Sequence, residues 1–190
     1  MSRGPRRLSN LLGVDDAPFP REHRGDVPIV GVVCTSGRLD GVLRAKVRRD
    51  GADAARRIAA MLLGSPFAEG VQAIVLQGIA LAGFNVVDLD ALHATTGRPI
   101  LVVARRPPDL TKIRAALARL RGGARKWRLI ERAGPMEPLG GVYVQRVGLS
   151  LAEAELLLDR SRIHGALPEP LRLAHLIAGA LGRGYSRGRA

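Results

Sequence analysis

Cysteine and aromatic residues are scarce in this 190-residue chain, and their scarcity excludes several kinds of structure. With Cys34 as its one cysteine, the chain can form neither an intrachain disulfide nor a cysteine-based zinc site. Phe, Tyr and Trp make up only 3% of the residues, so the core must be packed mainly from Leu, Val, Ile and Ala. We expect Cys34 to be a small residue of that core, because it lies in an apolar run.

Long apolar segments and signal sequences are also absent. No window approaches the ~20 uncharged apolar residues that a membrane span requires. The N-terminal ten residues lack the apolar region of a secretory signal. These absences predict a cytoplasmic protein without a membrane partner. The length predicts a single domain over residues 1–190, with flexible basic termini at about 1–7 and 183–190.

Motifs for nucleotide cofactors and serine hydrolases are missing as well. The segment from Gly78 to Gly83 lacks the Lys-Ser/Thr ending of a P-loop, and no G-x-G-x-x-G follows a strand. None of the serines has the context of a nucleophile elbow.

Basic residues are what the chain has in excess. Its 30 Lys and Arg oppose 17 Asp and Glu, for a formal charge of +13. Eleven basic residues against two acidic ones lie within residues 98–132. Such a stripe favours a polyanion, because neutralised phosphates release counterions, and nucleic acid is therefore the predicted partner. The alternatives are an arginine bias from genomic base composition, acidic small ligands, or plain solubility.

The order of predicted elements is three strands followed by alternating helices and strands. The first three strands have no room for crossover helices, so they pair as antiparallel hairpins. The later strand–helix–strand units require right-handed parallel connections. The predicted fold is therefore α/β, a ribonuclease H-like mixed sheet with helices on both faces. The predicted strands are 8–16, 27–35, 39–48, 73–76, 100–103, 126–132 and 142–147, and the predicted helices are 54–63, 86–94, 109–120, 151–163 and 171–181.

Acidic residues stand at the ends of these elements. In the predicted topology, Asp15, the turn that carries Asp50 and Asp53, and Gln77 at the end of a buried strand meet at one edge of the sheet. Two-metal phosphodiester hydrolysis needs several carboxylates around cations about 3.5–4 Å apart, and Mg²⁺ prefers such oxygen ligands. The alternative is that Asp15 ends a strand and Asp53 only caps a helix.

Candidate contacts to nucleic acid lie near the same edge. Arg105 and Arg106 follow a predicted strand, and arginine can bind phosphate oxygens with two parallel hydrogen bonds. Phe19 and Phe84 flank the predicted site and could stack on an extruded base. The alternatives are a solvated loop for the arginines and core packing for the phenylalanines.

Five segments together resemble the archaeal endonuclease dU family, which is related to endonuclease V. The resemblance implies a ribonuclease H-like fold and an endonuclease dependent on Mg²⁺ or Mn²⁺. It also implies DNA repair, with DNA containing deaminated bases, notably deoxyuridine, as the substrate. DNA is the implied partner, including single-stranded or damaged DNA. The segments are VDDAPF (14–19), DGADA (50–54), GIALAGFNVVDLDAL (78–92), GRPILVVARRPPD (97–109) and PEPLRLAHLIAGAL (168–181).

The resemblance also implies roles for individual residues. Asp15 is similar to the family's first-strand metal ligand, and Asp50 or Asp53 to its helix-borne acid. His175 aligns with a late polar position that borders such sites, with Glu169 and Arg172 beside it. The predicted catalytic residues are Asp15, Asp50, Asp53, Gln77 and His175; the predicted metal ligands are Asp15, Asp53 and Gln77; the predicted nucleic-acid contacts are Arg105, Arg106, Phe84 and Arg172.

Gln77 departs from the family pattern, which usually has Asp-Gly at this point. Glutamine keeps a carbonyl oxygen that can bind a metal, but it removes one negative charge. At an effective dielectric of ~20, one unit charge at ~4 Å is worth about 4 kcal/mol before desolvation is subtracted. Two alternatives to the nuclease therefore stay open: a catalytically impaired relative that binds nucleic acid without cutting it, and a hydrolase unrelated to nucleic acid.

Overall fold

A seven-stranded mixed sheet forms the centre of the protein, whose computed structural model describes residues 6–186. The strand order is β3-β2-β1-β4-β7-β9-β8, and β5 and β6 form a separate two-stranded hairpin. The strands are β1 (Asn10–Asp16), β2 (Asp26–Thr35), β3 (Arg38–Arg48), β4 (Ala73–Gln77), β5 (Ala80–Leu81), β6 (Asn85–Val86), β7 (Ile100–Ala104), β8 (Glu137–Leu139) and β9 (Val142–Val147). The helices are α1 (Ala54–Leu63), α2 (Leu89–Thr96), α3 (Leu110–Leu117), α4 (Gly123–Ala133), α5 (Leu151–Ser161) and α6 (Glu169–Arg183).

The pairing of the strands confirms the predicted mixed sheet. β1, β2 and β3 pair antiparallel, as their short connections require. β1 pairs parallel with β4, and β4 pairs parallel with β7. β9 then pairs antiparallel with both β7 and β8. The connection from β7 to its antiparallel neighbour β9 contains α3, α4 and β8.

Helices cover both faces of the sheet, because the central strands are apolar on both sides. The even-numbered residues of β1 and β4 pack with α1 and α2, and Leu12 and Leu76 belong to that cluster. The odd-numbered residues pack with α5 and α6, and Leu11 and Val75 belong to that second cluster. Cys34 is buried in a third cluster with α6, as predicted.

The predicted strand 126–132 is wrong, because these residues lie in α4. Gly123, Lys126 and Ile130 form its buried side, which is the spacing of a helix. The segment looks like a strand because charged and apolar residues alternate locally, and because a lysine is not expected in a core. The predicted helix 86–94 begins later than expected, at Leu89, because residues 80–86 form the β5–β6 hairpin.

Of the termini predicted to be flexible, about 1–7 and 183–190, residues 1–5 and 187–190 lie outside the described residues. Arg6, within the N-terminal one, donates from Nε to Glu153 Oε1 at 2.6 Å. Within residues 6–186, no helix is long and apolar enough to cross a bilayer.

The start of α5 gives a pH-dependent contribution to stability. Ser150 and Glu153 form a capping box, and the hydrogen bond from Arg6, with help from the Ser150 backbone, lowers the pKa of Glu153 to about 2. A folded-state pKa below the unfolded value stabilises the protein above pH ~4.5, and this contribution is lost as the pH falls towards 2. Because Arg6 is half exposed and its charge is screened, we expect Glu153→Gln to lower the free energy of unfolding by about 1–2 kcal/mol at pH 7.

Urea unfolding at pH 7 and pH 3 tests this expectation, with Glu155→Gln as the control, since Glu155 is exposed on the same helix. The difference in free energy of unfolding between the natural protein and Glu153→Gln should be less than half as large at pH 3 as at pH 7. A difference that is the same at both pH values would contradict the lowered pKa of Glu153.

Candidate functional site

Asp15 is the buried acid at the carboxyl end of β1, the strand between β2 and β4. Asp15 is only 6% exposed, and its Oδ1 accepts from the backbone nitrogen of Asp16 at 3.0 Å. Its Oδ2 lies 2.7 Å from His175 Nδ1. Burial raises the pKa of Asp15, while the hydrogen bond and the charge of His175 oppose that shift. The structure thus joins two predicted site residues that are far apart in the chain.

Gly13 explains how His175 reaches Asp15. A Cβ atom at Gly13 would lie 2.5 Å from the backbone nitrogen of Leu171, so any larger residue would push α6 away from β1. His175 lies one helical turn after Leu171, and Gly13 lies two residues before Asp15 on the same side of the strand. Close contact between α6 and β1 therefore places the imidazole directly over the carboxylate.

Gln77 occupies the position on β4 that neighbours Asp15. Val14 is paired with Leu76 in the parallel ladder, so Asp15 and Gln77 are the next residues of the two strands and share one face of the sheet. The Gln77 Oε1 atom is buried, and none of residues 6–186 donates a hydrogen bond to it. Leaving a buried acceptor unpaired costs about 1–3 kcal/mol. Such an atom beside a buried carboxylate fits an oxygen ligand for a hard cation such as Mg²⁺.

Asp53 lies on the α1 side of the sheet, where both of its oxygens are engaged. Its Oδ1 accepts from Asn85 Nδ2 at 2.7 Å and from the backbone nitrogen of Arg48 at 3.1 Å. Its Oδ2 accepts from Arg57 Nε at 3.3 Å. Burial alone would raise the pKa of Asp53, but these hydrogen bonds together lower it. No hydrogen bond connects Asp53 with Asp15, and the contacts of Asp53 fix the junction between β3, β6 and α1.

Asp50 is connected to Asp16 rather than to Asp15. The backbone nitrogen of Ala82 donates to Asp16 Oδ2 at 3.1 Å, and the Ala82 carbonyl accepts from the backbone nitrogen of Asp50 at 3.0 Å. The Asp50 carboxylate accepts from the Phe84 nitrogen at 2.8 Å. Burial and then the nearby charge of Asp15 raise the pKa of Asp16 to about 6. Among residues 6–186, no three His, Cys, Asp or Glu side chains are grouped so that they could hold a metal ion.

The predicted nucleic-acid contacts differ in their surroundings. Arg105 and Arg106 are exposed after β7, where the sequence placed them. Arg172 forms an ion pair with Glu169, with Nη2 and Oε1 2.6 Å apart, so its charge is largely neutralised locally. Phe84 is half-buried and packs in the cluster formed by α3, α4 and the β5–β6 hairpin, while the Phe19 ring lies 5.4 Å from the Arg49 guanidinium carbon.

A groove of about 490 Å³ opens next to the end of β4, immediately after Gln77. Trp127 on one wall donates from Nε1 to Glu131 Oε1 at 2.5 Å, and Gln145 is held by a 2.6 Å hydrogen bond from Nε2 to the Gly134 carbonyl. The sequence did not reveal this groove, because one wall is α4, which was predicted as a strand. Its mainly apolar lining includes Gly78, Ile79, Ala104, Pro107, Pro108, Ile113 and Ile130, with Arg106 also present.

Comparison with known proteins gives consistent results at the levels of sequence and structure. The family model for endonuclease dU matches residues 7–182. A UPF0215 protein from Deinococcus radiodurans is 58% identical over 184 residues, covering 96% of this chain and 94% of that protein. A UPF0215 protein from Methanosarcina acetivorans is 41% identical over 187 residues, covering 95% of this chain and 94% of that protein.

Solved structures show the same fold. A crystal structure of a protein of unknown function from Archaeoglobus fulgidus has a TM-score of 0.87 at 36% identity, covering 93% of this chain and 99% of that one. Endonuclease V from Ciona intestinalis, in complex with a 24mer DNA containing an inosine, has a TM-score of 0.56 at 13% identity. That alignment covers 88% of this chain and 83% of the other. The likeness confirms the predicted ribonuclease H-like fold.

Proposed function

This chain belongs to the endonuclease dU family, and from that premise we propose that it is a metal-dependent endonuclease that cuts DNA near a deaminated base. The observation that carries the proposal is the arrangement of Asp15 between His175 and Gln77. One buried carboxylate, an imidazole 2.7 Å away and an unpaired buried amide oxygen lie at the carboxyl end of parallel strands. This is the edge at which open α/β sheets bind their ligands.

Asp15 and Gln77 are the residues that would hold Mg²⁺ or Mn²⁺. The bound cation would supply Lewis acidity and lower the pKa of a water molecule. Because Asp53 lies on the α1 side of the sheet, away from Asp15 and Gln77, and because its Oδ2 is paired with the Arg57 cation, we assign Asp53 to the start of α1 rather than to the metal site. Asp50 is assigned likewise to the loop that it organises with Phe84.

His175 would orient Asp15 and move a proton. When Nδ1 donates to Asp15 Oδ2, the neutral ring carries no proton on Nε2. The His175 side chain is 34% exposed, so solvent and substrate can reach it. Nε2 can therefore accept a proton from an attacking water molecule, while the Asp15 carboxylate stabilises the resulting imidazolium.

The groove beside Gly78 is where we place the base that leaves the stack. Its apolar walls and Trp127 suit a planar ring, and its volume of about 490 Å³ exceeds what one base needs. Arg105 and Arg106 stand at the same edge and carry exposed positive charge for the flanking phosphates. Repair of deaminated DNA is the role that this arrangement suits.

Gln77 supports a second candidate, a relative that binds damaged DNA but cuts it slowly or not at all. Each charge removed from a cation site weakens metal binding, and one carboxylate with one amide is a sparse ligand set. The two candidates share the same fold, groove and DNA contacts, and they differ only in the rate of cleavage.

A panel of oligonucleotides tests the proposal. Matched strands containing uracil, hypoxanthine or no lesion are incubated, single- or double-stranded, with Mg²⁺, Mn²⁺ or a chelator. We expect the uracil strand to be cut at least about ten times faster than the undamaged strand, because extruding a mispaired base costs less. Binding of the lesion strands without cleavage would select the impaired relative. Neither binding nor cleavage under any condition would refute both candidates.

A further inference from the structure

The outward face of β3 carries an unusual row of positive charge. Val42, Arg44, Lys46 and Arg48 alternate with the residues that pack towards α1, and all four are exposed. A polar face on a strand with one buried side is ordinary. Here, however, Arg44, Lys46 and Arg48 are all positively charged, and they occupy successive outward positions of the strand.

The register of the sheet places this row level with Asp15. Asp15 is paired with Val30 on β2, and Val30 is paired with Arg44 on β3. Lys46 is paired with Pro28, whose carbonyl accepts from the backbone nitrogen of Ala17 at 2.9 Å. With strands about 4.8 Å apart, the Cα atoms of Arg44 and Asp15 are about 10 Å apart on the same face.

Helix α6 covers β1 and β2 on this face but leaves β3 open. Val30 and Val32 are completely buried against Ala174 and Ala178 of α6. Val42, which is paired with Val32, is 48% exposed. The basic residues of β3 therefore border the outer flank of the helix whose His175 touches Asp15.

Two of the three cations are not neutralised by a carboxylate. Arg48 forms an ion pair with Asp26, with Nη1 and Oδ1 3.6 Å apart. Arg44 and Lys46 form no ion pair with any acid among residues 6–186. Charged side chains on an edge strand also prevent the strand from pairing with other protein chains. That protection would not require all the charges to be positive, nor the charged residues to be level with Asp15.

We propose that Arg44 and Lys46 bind phosphates of the substrate strand on the side of the site away from the groove. The inference rests on the proposed function, since it assumes that Asp15 marks the position of the cut. Long basic side chains on a rigid strand, with the Arg44 Cα atom about 10 Å from that of Asp15, would hold the DNA at phosphates beyond the one being cut. They add affinity without reading sequence, and they fix the direction in which the strand leaves the site.

The experiment is equilibrium binding of a fluorescein-labelled 20-mer without divalent cations, measured as anisotropy between 50 and 300 mM NaCl. The variant is Arg44→Gln/Lys46→Gln. The matched control is Arg56→Gln/Arg160→Gln, which removes the same charge from exposed positions on α1 and α5. We expect the double variant to reduce the slope of log K against log[salt] by about 1.4–1.8, at 0.7–0.9 per lost phosphate contact. The control should keep the natural slope.

The outcomes separate this inference from the proposed function. A natural protein that binds with a steep salt dependence, together with an unchanged slope in Arg44→Gln/Lys46→Gln, overturns the inference alone. Equal losses in the variant and the control also overturn it, because they show a general charge effect. A natural protein that binds no oligonucleotide overturns the inference together with the proposed function. Circular dichroism of both variants shows that they are folded.

Discussion

Asp15→Asn is expected to reduce the rate of DNA cleavage by about 10³-fold or more, with DNA affinity unchanged within a few-fold. Asparagine has almost the same shape, and its oxygen can still accept from the Asp16 backbone. What it lacks is the negative charge that would hold the cation and stabilise a protonated His175. Losing a group that would hold the cation and stabilise the imidazolium, but that does not itself contact the DNA, lowers kcat with little change in DNA affinity.

Single-turnover cleavage of the uracil strand, together with anisotropy binding, measures both quantities. Asp159→Asn is the matched control, because Asp159 is an exposed acid on α5 and should retain full activity. If the natural protein cuts too slowly to be followed, the comparison is made in the Gln77→Asp background. An Asp15→Asn variant that keeps a tenth or more of the activity would eliminate Asp15 as the central acid.

The sheet could be predicted from the sequence because its signals are local. β2 and β4 are short apolar runs, and β3 alternates between wet and buried residues, so their type and pairing follow from periodicity and connection length. The start of α5 was visible for the same reason, since the capping box spans four consecutive residues. α4 was missed because its period depends on a buried lysine, Lys126, which donates to the Asp50 carbonyl.

The site was predictable only in part, because it depends on distances between segments far apart in the chain. Family resemblance suggested both Asp15 and His175, but their contact requires the close approach that Gly13 permits. The alternation of a β-strand predicts that Asp15 and Asp16 lie on opposite faces of the sheet. It does not predict on which face Asp50 and Asp53 lie. Asp50 connects with Asp16 through Ala82, an arrangement of loops that no local pattern indicates.

The two faces of the sheet explain why no cluster of several acids forms within residues 6–186. Asp15 and Gln77 point towards α5 and α6, whereas Asp53 belongs to the side covered by α1. Asp16 alternates with Asp15 along β1, so it faces the other side of the sheet, where its Oδ2 accepts from the Ala82 nitrogen. The charge that the proposed cation would meet therefore depends mainly on Asp15 and on the residue at position 77.

Gln77→Asp is accordingly expected to strengthen cation binding by about ten- to a hundredfold, the equivalent of roughly 1.4–2.8 kcal/mol. A unit charge at ~4 Å is worth about 4 kcal/mol at an effective dielectric of ~20, and desolvation removes part of it. The same charge should destabilise the metal-free protein, because it adds a second buried carboxylate beside Asp15. DNA affinity in the presence of a chelator should stay nearly constant, and the rate of cleavage should rise together with metal affinity.

Three variants separate charge from shape in that prediction. Gln77→Asn shortens the side chain as Asp does but stays neutral, while Gln77→Glu keeps the length and adds the charge. Calorimetric titration with Mn²⁺ and urea unfolding with and without Mn²⁺ give readouts that do not depend on cleavage. We expect the two acidic variants to bind Mn²⁺ more tightly and to recover stability when it is added, and Gln77→Asn to do neither. Equal Mn²⁺ affinity and equal stabilisation by Mn²⁺ in Gln77→Asn and Gln77→Asp would show that the missing charge does not limit metal binding. The amide oxygen at position 77 would then have to act as a ligand without that charge.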